Sequence, residues 1–380
     1  MRGSTTAIPR EPASIHSQEV YYNRVVKLLF LCGRELSYPF NQYMLNAFRQ
    51  FCQVDVVDEF NGSRSILKRS LKVGLLAFPK LITTKYDGVY IGFYGQLLML
   101  PLGSLSRKPI LFNPFLSTFD TLVFDRKLYP KNSLVARLAF WLDKTSCDLA
   151  STLMLDTQAH ADFFARTFQI PEQKFNVIYV GCDENLFFPC PTPIHPGIVV
   201  HFHGSFLPLH GVNLIIGAAE QLKNNPEIRF QLQGQGIEFT NFRRMAAETK
   251  LSNIDFIPEV PLANLPNYIA QADICLAGLF GNSEKAQRVI AGKTFRNLAM
   301  GKATIVSDNP ANREILTHGY DAWLCEVNDP YSLADSIQLL AKDHELRARL
   351  GQNARDTFLI KASLKAQIPK IKQMLENTIN

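Results

Sequence analysis

The chain has 380 residues, enough for two domains of ordinary size, each able to bury a core. It is 47% hydrophobic and 19% charged, as a globular protein is. A net charge of +6 favours anionic partners but lacks the dense Lys/Arg clustering of a nucleic-acid binder, so nucleic acid is excluded as the expected partner.

Residues 1–22 are Ser/Pro-rich without an apolar core and read as a disordered tail, not a signal peptide. Short β-rich apolar runs then alternate with helical patterns, the signature of parallel sheets flanked by helices. In the first half the strands are expected at 24–31, 52–58, 87–93, 108–113, 150–157 and 175–180. The run 89–102 is broken by Gly, Gln and Pro and is too short to span a bilayer, so a soluble protein is expected. The segment 63–82 mixes Arg64, Lys68, Arg69, Lys72 and Lys80 with a broad apolar face. Such a helix can lie on an anionic membrane surface, or simply pack as a basic surface helix on its own sheet.

The stretch "FFPCPTPIHPG" (187–197) holds four prolines and is the best linker in the chain, because proline continues neither a helix nor a central strand. Six further strands are expected, in "GIVVHFHG", "EIRFQLQG", "IDFIP", "DICLAG", "ATIVSD" and "AWLCEV". The tail is helical, with breaks expected at Gly351 and Pro369. Domains follow at 23–190 and 197–355, with 356–380 as a terminal helix. Two doubly wound, Rossmann-like domains of this kind face each other across a cleft at the strand carboxyl ends. Seven scattered cysteines without a C-x-x-C pair read as buried free thiols in a reducing compartment.

Several motifs fail on inspection. "AGKT" (291–294) lacks the first glycine of a P-loop, which would fall at Gln287. "GQG" (234–236) lacks the third glycine of a dinucleotide fingerprint, and no D-x-D occurs, so neither a nicotinamide cofactor nor a dedicated metal site is expected. "VVHFHGSFLPLHGVNLIIGAAEQL" (199–222) is more informative: a strand runs into a turn at Gly204, and Gly211 opens an amphipathic helix. Free amides at such a helix start bind anions. "GLFGNSEKAQRVIAGKTFRNLAMGK" (278–302) crowds Lys285, Arg288 and Lys293 before a second helix start, a pattern that either holds an anion or makes a solvated basic face.

With "FQLQGQG", "FIPEVPLANLPNYIAQADICLAG" and "FGNSEKAQRVIAGKTFRNLAMGKATIVSDNPANREIL", these motifs resemble the nucleotide-sugar-binding domain of the GT-B retaining glycosyltransferases, glycosyltransferase family 4. "RELSYPFNQYML", "FNPFLSTFDTLVFDRKL" and "LDTQAHADFFARTF" fit the same family more loosely. The resemblance covers about residues 25 to 360, and it implies that the terminal helix 356–380 packs on the first domain. It implies a metal-independent hexosyltransferase working with retention, a UDP-sugar such as UDP-glucose as donor, and a saccharide or lipid-linked saccharide as acceptor. It also implies a place in surface polysaccharide assembly and a cytoplasmic location, which the helix at 63–82 would extend to the inner face of the plasma membrane.

The resemblance further implies that Gly204 and Gly211 frame a diphosphate turn, and that Gly234, Gly236, Ile257 and Pro258 line base and ribose. Glu284 would hold sugar hydroxyls; Lys285, Arg288, Lys293 and Thr294 would face the diphosphate. Ser205 and His210 stand where the family usually carries Arg and Lys, and Arg296 stands where a glutamate usually clamps the ribose. A guanidinium only donates, so that clamp cannot form. Either Arg296 reaches phosphate oxygens or the site is weakened.

On the acceptor side Arg34 and Asn41 are the polar candidates. Asp120 reads as an acceptor contact or a helix cap, and His160 as a packed helix-start histidine or a catalyst. A non-catalytic GT-B scaffold is the alternative, and a sugar-nucleotide epimerase a weaker one, because carboxylate bases for it are not identifiable.

Overall fold

A computed structural model describes residues 25–58, 65–191, 193–236 and 238–379. The tail 1–22 and Arg64 lie outside the described residues. The first half is a six-stranded sheet of β1 (Val26–Leu31), β2 (Cys52–Val57), β3 (Gly88–Ile91), β4 (Ile110–Phe112), β5 (Thr152–Leu155) and β6 (Phe175–Val177). Its connecting helices are α1 (Pro39–Phe48), α2 (Ile66–Thr83), α3 (Gln96–Leu105), α4 (Leu134–Leu149) and α5 (Gln158–Phe168). All pairings are parallel, in the order β2-β1-β3-β4-β5-β6. The strands read as near-continuous apolar runs because helices cover both faces.

The second half repeats the plan with β7 (Ile198–Ser205), α6 (Val212–Gln221), β8 (Ile228–Gln235), α7 (Phe239–Glu248), β9 (Ile254–Pro258), α8 (Leu265–Gln271) and β10 (Ile274–Leu276). α9 (Gly292–Ala299), β11 (Thr304–Ser307), β12 (Trp323–Cys325), α10 (Pro330–Lys342) and α11 (His344–Thr357) complete it. The order β12-β11-β10-β7-β8-β9 reverses direction between β7 and β10. Chain leaving those two strands diverges to opposite faces, so a crevice opens at their carboxyl ends. The loops that fall there are 204–211 and 277–291.

α12 (Leu364–Ile379) crosses back to the first sheet. Gln367 Nε2 donates to Tyr43 Oη (2.8 Å) and to the Tyr179 carbonyl (2.9 Å), while its Oε1 accepts from Tyr179 N (2.7 Å). A shared apolar core, from Phe30 and Phe48 through Met374 to Phe295 and Leu298, joins the two halves. All twelve expected strands are present, most of them trimmed while β7 and β8 run one residue further, and the fold is the two-domain α/β arrangement of the GT-B glycosyltransferases. The cysteines are free, but Cys182 and Cys190 are only half-buried.

The tail departs from expectation. α11 runs straight through Gly351, whose absent side chain lets the Gly301 carbonyl approach to 2.3 Å from where a Cβ would stand. Helix packing, not a break, explains that glycine. Pro369 likewise sits inside α12. The real interruption is the wide turn Phe358–Ala362, ended by an extended Ser363.

Candidate active site in the cleft

A cavity of about 1070 Å³ lies between the two carboxyl edges. β7 ends on it at Gly204 and Ser205. Gly204 holds φ +146°, and a Cβ there would stand 3.1 Å from Lys293 Cε, so the glycine lets the lysine lie across the strand end. His210 closes the following turn by donating from Nδ1 to the Ser205 carbonyl. Burial, then nearby Lys293, pushes its pKa down to about 3, so His210 is neutral and adds no cation. Gly211 is left-handed at φ +65°, and backbone of Gly281 would meet its Cβ at 2.6 Å. Chain packing therefore explains Gly211, rather than ligand approach.

The second helix start, α9, opens at Ala291 with no side chain capping its amides. Gly292 has nothing within 4 Å of a Cβ position and lines the cavity. Lys293 is 5% exposed, its Nζ has no hydrogen-bond partner, and it stands 4.3 Å from the Phe202 ring centroid. Burial, helped by Arg296, lowers its pKa to about 7. Arg296, one helical turn on, lies 5.3 Å from the centre of the Phe187 ring and lines the same cavity. Among the described residues no carboxylate pairs with either cation. Thr294 is buried behind them with its Oγ1 unpartnered.

The loop cations have gone elsewhere. Arg288 donates to Asp120 across the domain boundary at 2.8 Å and covers the Phe163 ring at 3.5 Å. Lys285 still lines the cavity, but pairs with Asp125 at 3.1 Å. Arg288 is thus corrected from a phosphate ligand to a domain-bridging residue, because a buried guanidinium needs a carboxylate and Asp120 supplies it. Asp120 is not the cap, since Ser117 caps that turn, and its carboxylate is taken up by Arg288. The Glu284 side chain is 75% exposed, off the cavity wall, 3.8 Å from Arg288.

The remaining candidates sit around the rim or behind the walls. Gly234 lets β8 pass the Gly204 carbonyl at 1.9 Å from a Cβ position, and Gly236 abuts the Phe206 backbone. Ile257 and Pro258 end the neighbouring β9, outside the cavity lining. Arg34 is bound by Glu35 at 3.0 Å. Asn41 is buried, accepting from Phe93 N and donating to the Glu35 carbonyl, which braces the turn after β1. His160 is buried at the start of α5, 2.6 Å from Asp156.

Sequence reasoning passed over Asp156, Glu184 and His203, which the structure puts on the cavity wall. Asp156 directly follows β5, a strand carboxyl end, and that position was the available signal. His203 is buried with both ring nitrogens unpartnered, and burial holds it well below the usual imidazole range.

The site thus defines a class: a two-domain α/β cleft with a cationic helix start at the switch point. Residues 192–357 match the family model for glycosyl transferases group 1. An uncharacterized glycosyltransferase of Methanocaldococcus jannaschii is 25% identical over 155 residues, 41% of each chain. The N-acetyl-alpha-D-glucosaminyl L-malate synthase of Bacillus anthracis is 24% identical over 161 residues, 42% of this chain and 40% of that one. The alignments thus span about two fifths of these relatives. Anabaena HepE in complex with UDP-glucose superposes at TM-score 0.66 with 17% identity, over 92% of this chain and 99% of that one. The sucrose-phosphate synthase of Thermosynechococcus elongatus reaches 0.74 with 13% identity, over 93% and 99%. Together these matches show the two-domain GT-B fold over the chain and a likeness to the group 1 glycosyl transferases over residues 192–357.

Proposed function

We propose that this protein is a family 4 glycosyltransferase that moves a hexose, glucose by preference, from a UDP-sugar to a hydroxyl of a saccharide or lipid-linked saccharide, with retention and without a metal. The observation that carries the reading is the unpaired couple Lys293 and Arg296 at an uncapped helix start on the cleft. The solved likeness with bound UDP-glucose supports the choice of donor. The O-antigen biosynthesis protein RfbC of Myxococcus xanthus, 25% identical over 197 residues (52% of this chain, 14% of that one), supports surface polysaccharide assembly, which we place at the cytoplasmic face.

Departure of the diphosphate from the anomeric carbon is the difficult event. Lys293, Arg296 and the α9 amides stabilise the charge that develops on the leaving phosphate. The acceptor attacks from the same face, with that phosphate taking its proton. Closure of the two halves excludes water.

One observation favours the scaffold reading instead. Arg288 and Lys285 are spent on carboxylates of the other half, and Glu284 lies off the wall, which leaves two cations where the sequence offered four. Calorimetric titration with UDP, GDP and ADP, without added metal, decides between them. Micromolar UDP binding, weakened about tenfold by Arg296→Ala as loss of a charge-assisted bond should do, supports the enzyme. No binding of any of the three sinks the enzyme in favour of the scaffold.

A further inference from the structure

Three helices, α2, α3 and α4, lie side by side over one face of the first sheet, and their inner residues (Val73, Ala77, Leu98, Leu102, Ala136, Ala139) fill its core. Their outer surface is also apolar. On α2, Leu67, Leu71, Leu75, Phe78 and Ile82 recur at helical spacing and are 58%, 61%, 74%, 45% and 69% exposed. On α4, Leu134, Leu138 and Trp141 do the same at 72%, 57% and 54%, with Leu105 at the end of α3 between them at 61%. Monomeric proteins rarely leave so large an apolar face to water without a use for it.

The charge around this face is mainly positive, the exposed Asp148 near the end of α4 being paired with Lys144 at 3.2 Å. α2 and α3 contain no Asp or Glu, and the first in α4 is Asp143, which is buried. Lys68, Lys72 and Lys80 on α2 and Arg137 on α4 are exposed beside the leucines. Arg69, which the sequence pattern counted with them, is turned inward to Asp58 at 2.9 Å and is not part of the surface.

We propose that the outer face of α2, α3 and α4 docks on an anionic lipid bilayer, the leucines and Trp141 entering the interfacial layer and the lysines and Arg137 meeting phosphate headgroups. Leu and Trp on one side with Lys and Arg at the border is the composition that interfacial helices need. Charge decides against a second copy of this chain: two such faces brought together would set their cations against each other. Among the described residues no helix is long and apolar enough to cross a membrane, so the contact is peripheral. α2 and α4 both begin at the carboxyl edge of the first sheet. Asp125, shortly before α4, holds cavity-lining Lys285. The docked face therefore runs up to the mouth of the cleft, which suits an acceptor held in the bilayer. Docking itself requires no donor, so it stands or falls apart from the transfer reading.

The full chain is sedimented with vesicles of phosphatidylcholine alone and of phosphatidylcholine mixed with phosphatidylglycerol. Binding to the mixed vesicles, weak on the neutral ones and screened by salt, is expected. An anionic surface strengthens binding about fivefold per basic residue, so Lys68→Glu with Arg137→Glu should weaken it about 25-fold or more. Leu71→Ser with Leu138→Ser should abolish it while circular dichroism and the melting temperature stay unchanged. The chain has two tryptophans; in a Trp323→Phe background the emission of Trp141 should shift to the blue on the mixed vesicles. The proposal is overturned by absence of binding, by equal binding to both vesicles, or by binding indifferent to these substitutions. It is also overturned by a dimer in sedimentation velocity that the leucine variants dissolve, which would make a second copy the occupant.

Discussion

The basic loop 285–288 and the helix start 293–296 carry equal positive charge within twelve residues, yet they end in opposite circumstances. Lys285 and Arg288 reach over to the first half and are neutralised by Asp125 and Asp120. Lys293 and Arg296 remain in the cleft with aromatic rings beneath them and, among the described residues, no carboxylate partner. Nearby, the Glu314 carboxylate crosses the same boundary to accept from the Gln158 and Ala159 amides, 2.8 Å each, at the start of α5. The loop cations thus join the two halves, while the helix cations stay in the cleft at a desolvation cost, without such a counter-charge among the described residues.

Breaking the joined pair should have the largest effect. Asp120→Ala leaves the Arg288 guanidinium buried and unpaired, a change expected to destabilise by about 3–5 kcal/mol in urea unfolding. Adding Arg288→Met should recover much of that loss, since the uncompensated charge goes with it. If the single substitution costs no more than a surface change, the pair does not hold the halves together.

Next in size is the removal of a free cation. Lys293→Ala should lower kcat/KM of the proposed transfer by about one to three orders of magnitude, as loss of one preorganised charge on a leaving group does. Stability should not fall, because no partner is orphaned. Lys285→Ala should cost less than about tenfold, its charge being already met by Asp125. Equal effects on activity at 285 and 293 would erase the distinction between the two regions, and activity within twofold of wild type would take Lys293 out of the site.

The strands and the switch point were legible because each strand is a short apolar run closed by polar or glycine-containing turns, and local pattern suffices for that. Both helix starts at the cleft could be placed for the same reason. What local pattern cannot show is pairing over distance: Arg288 meets a carboxylate 168 positions away and Lys285 one 160 away, so both looked like ligand cations. Gly351 and Pro369 misled in the opposite way. Each is a breaker by propensity, but a close helix contact at Gly301 and the packing of α12 on the first sheet outweigh about 1–3 kcal/mol of local preference.

The last effect follows from the protonation of Lys293. In the unfolded chain this lysine titrates near 10.5, and in the folded one near 7. Below about pH 7 it is charged in both states and the burial cost is fully present. Between about 7 and 10.5 the unfolded chain binds the extra proton, so stability rises with pH through that window. Lys293→Met should therefore raise the melting temperature most at or below pH 7, with the gain fading toward pH 10. A bound diphosphate reverses the preference by restoring a counter-charge. At pH 8 nucleotide binding should accordingly take up to about one proton, and at pH 6 almost none. Calorimetry in buffers of different ionisation enthalpy reads that number directly. Uptake that persists in Lys293→Met would assign the proton to another group, and uptake equal at both values would mean that the lysine is already charged when the cleft is empty.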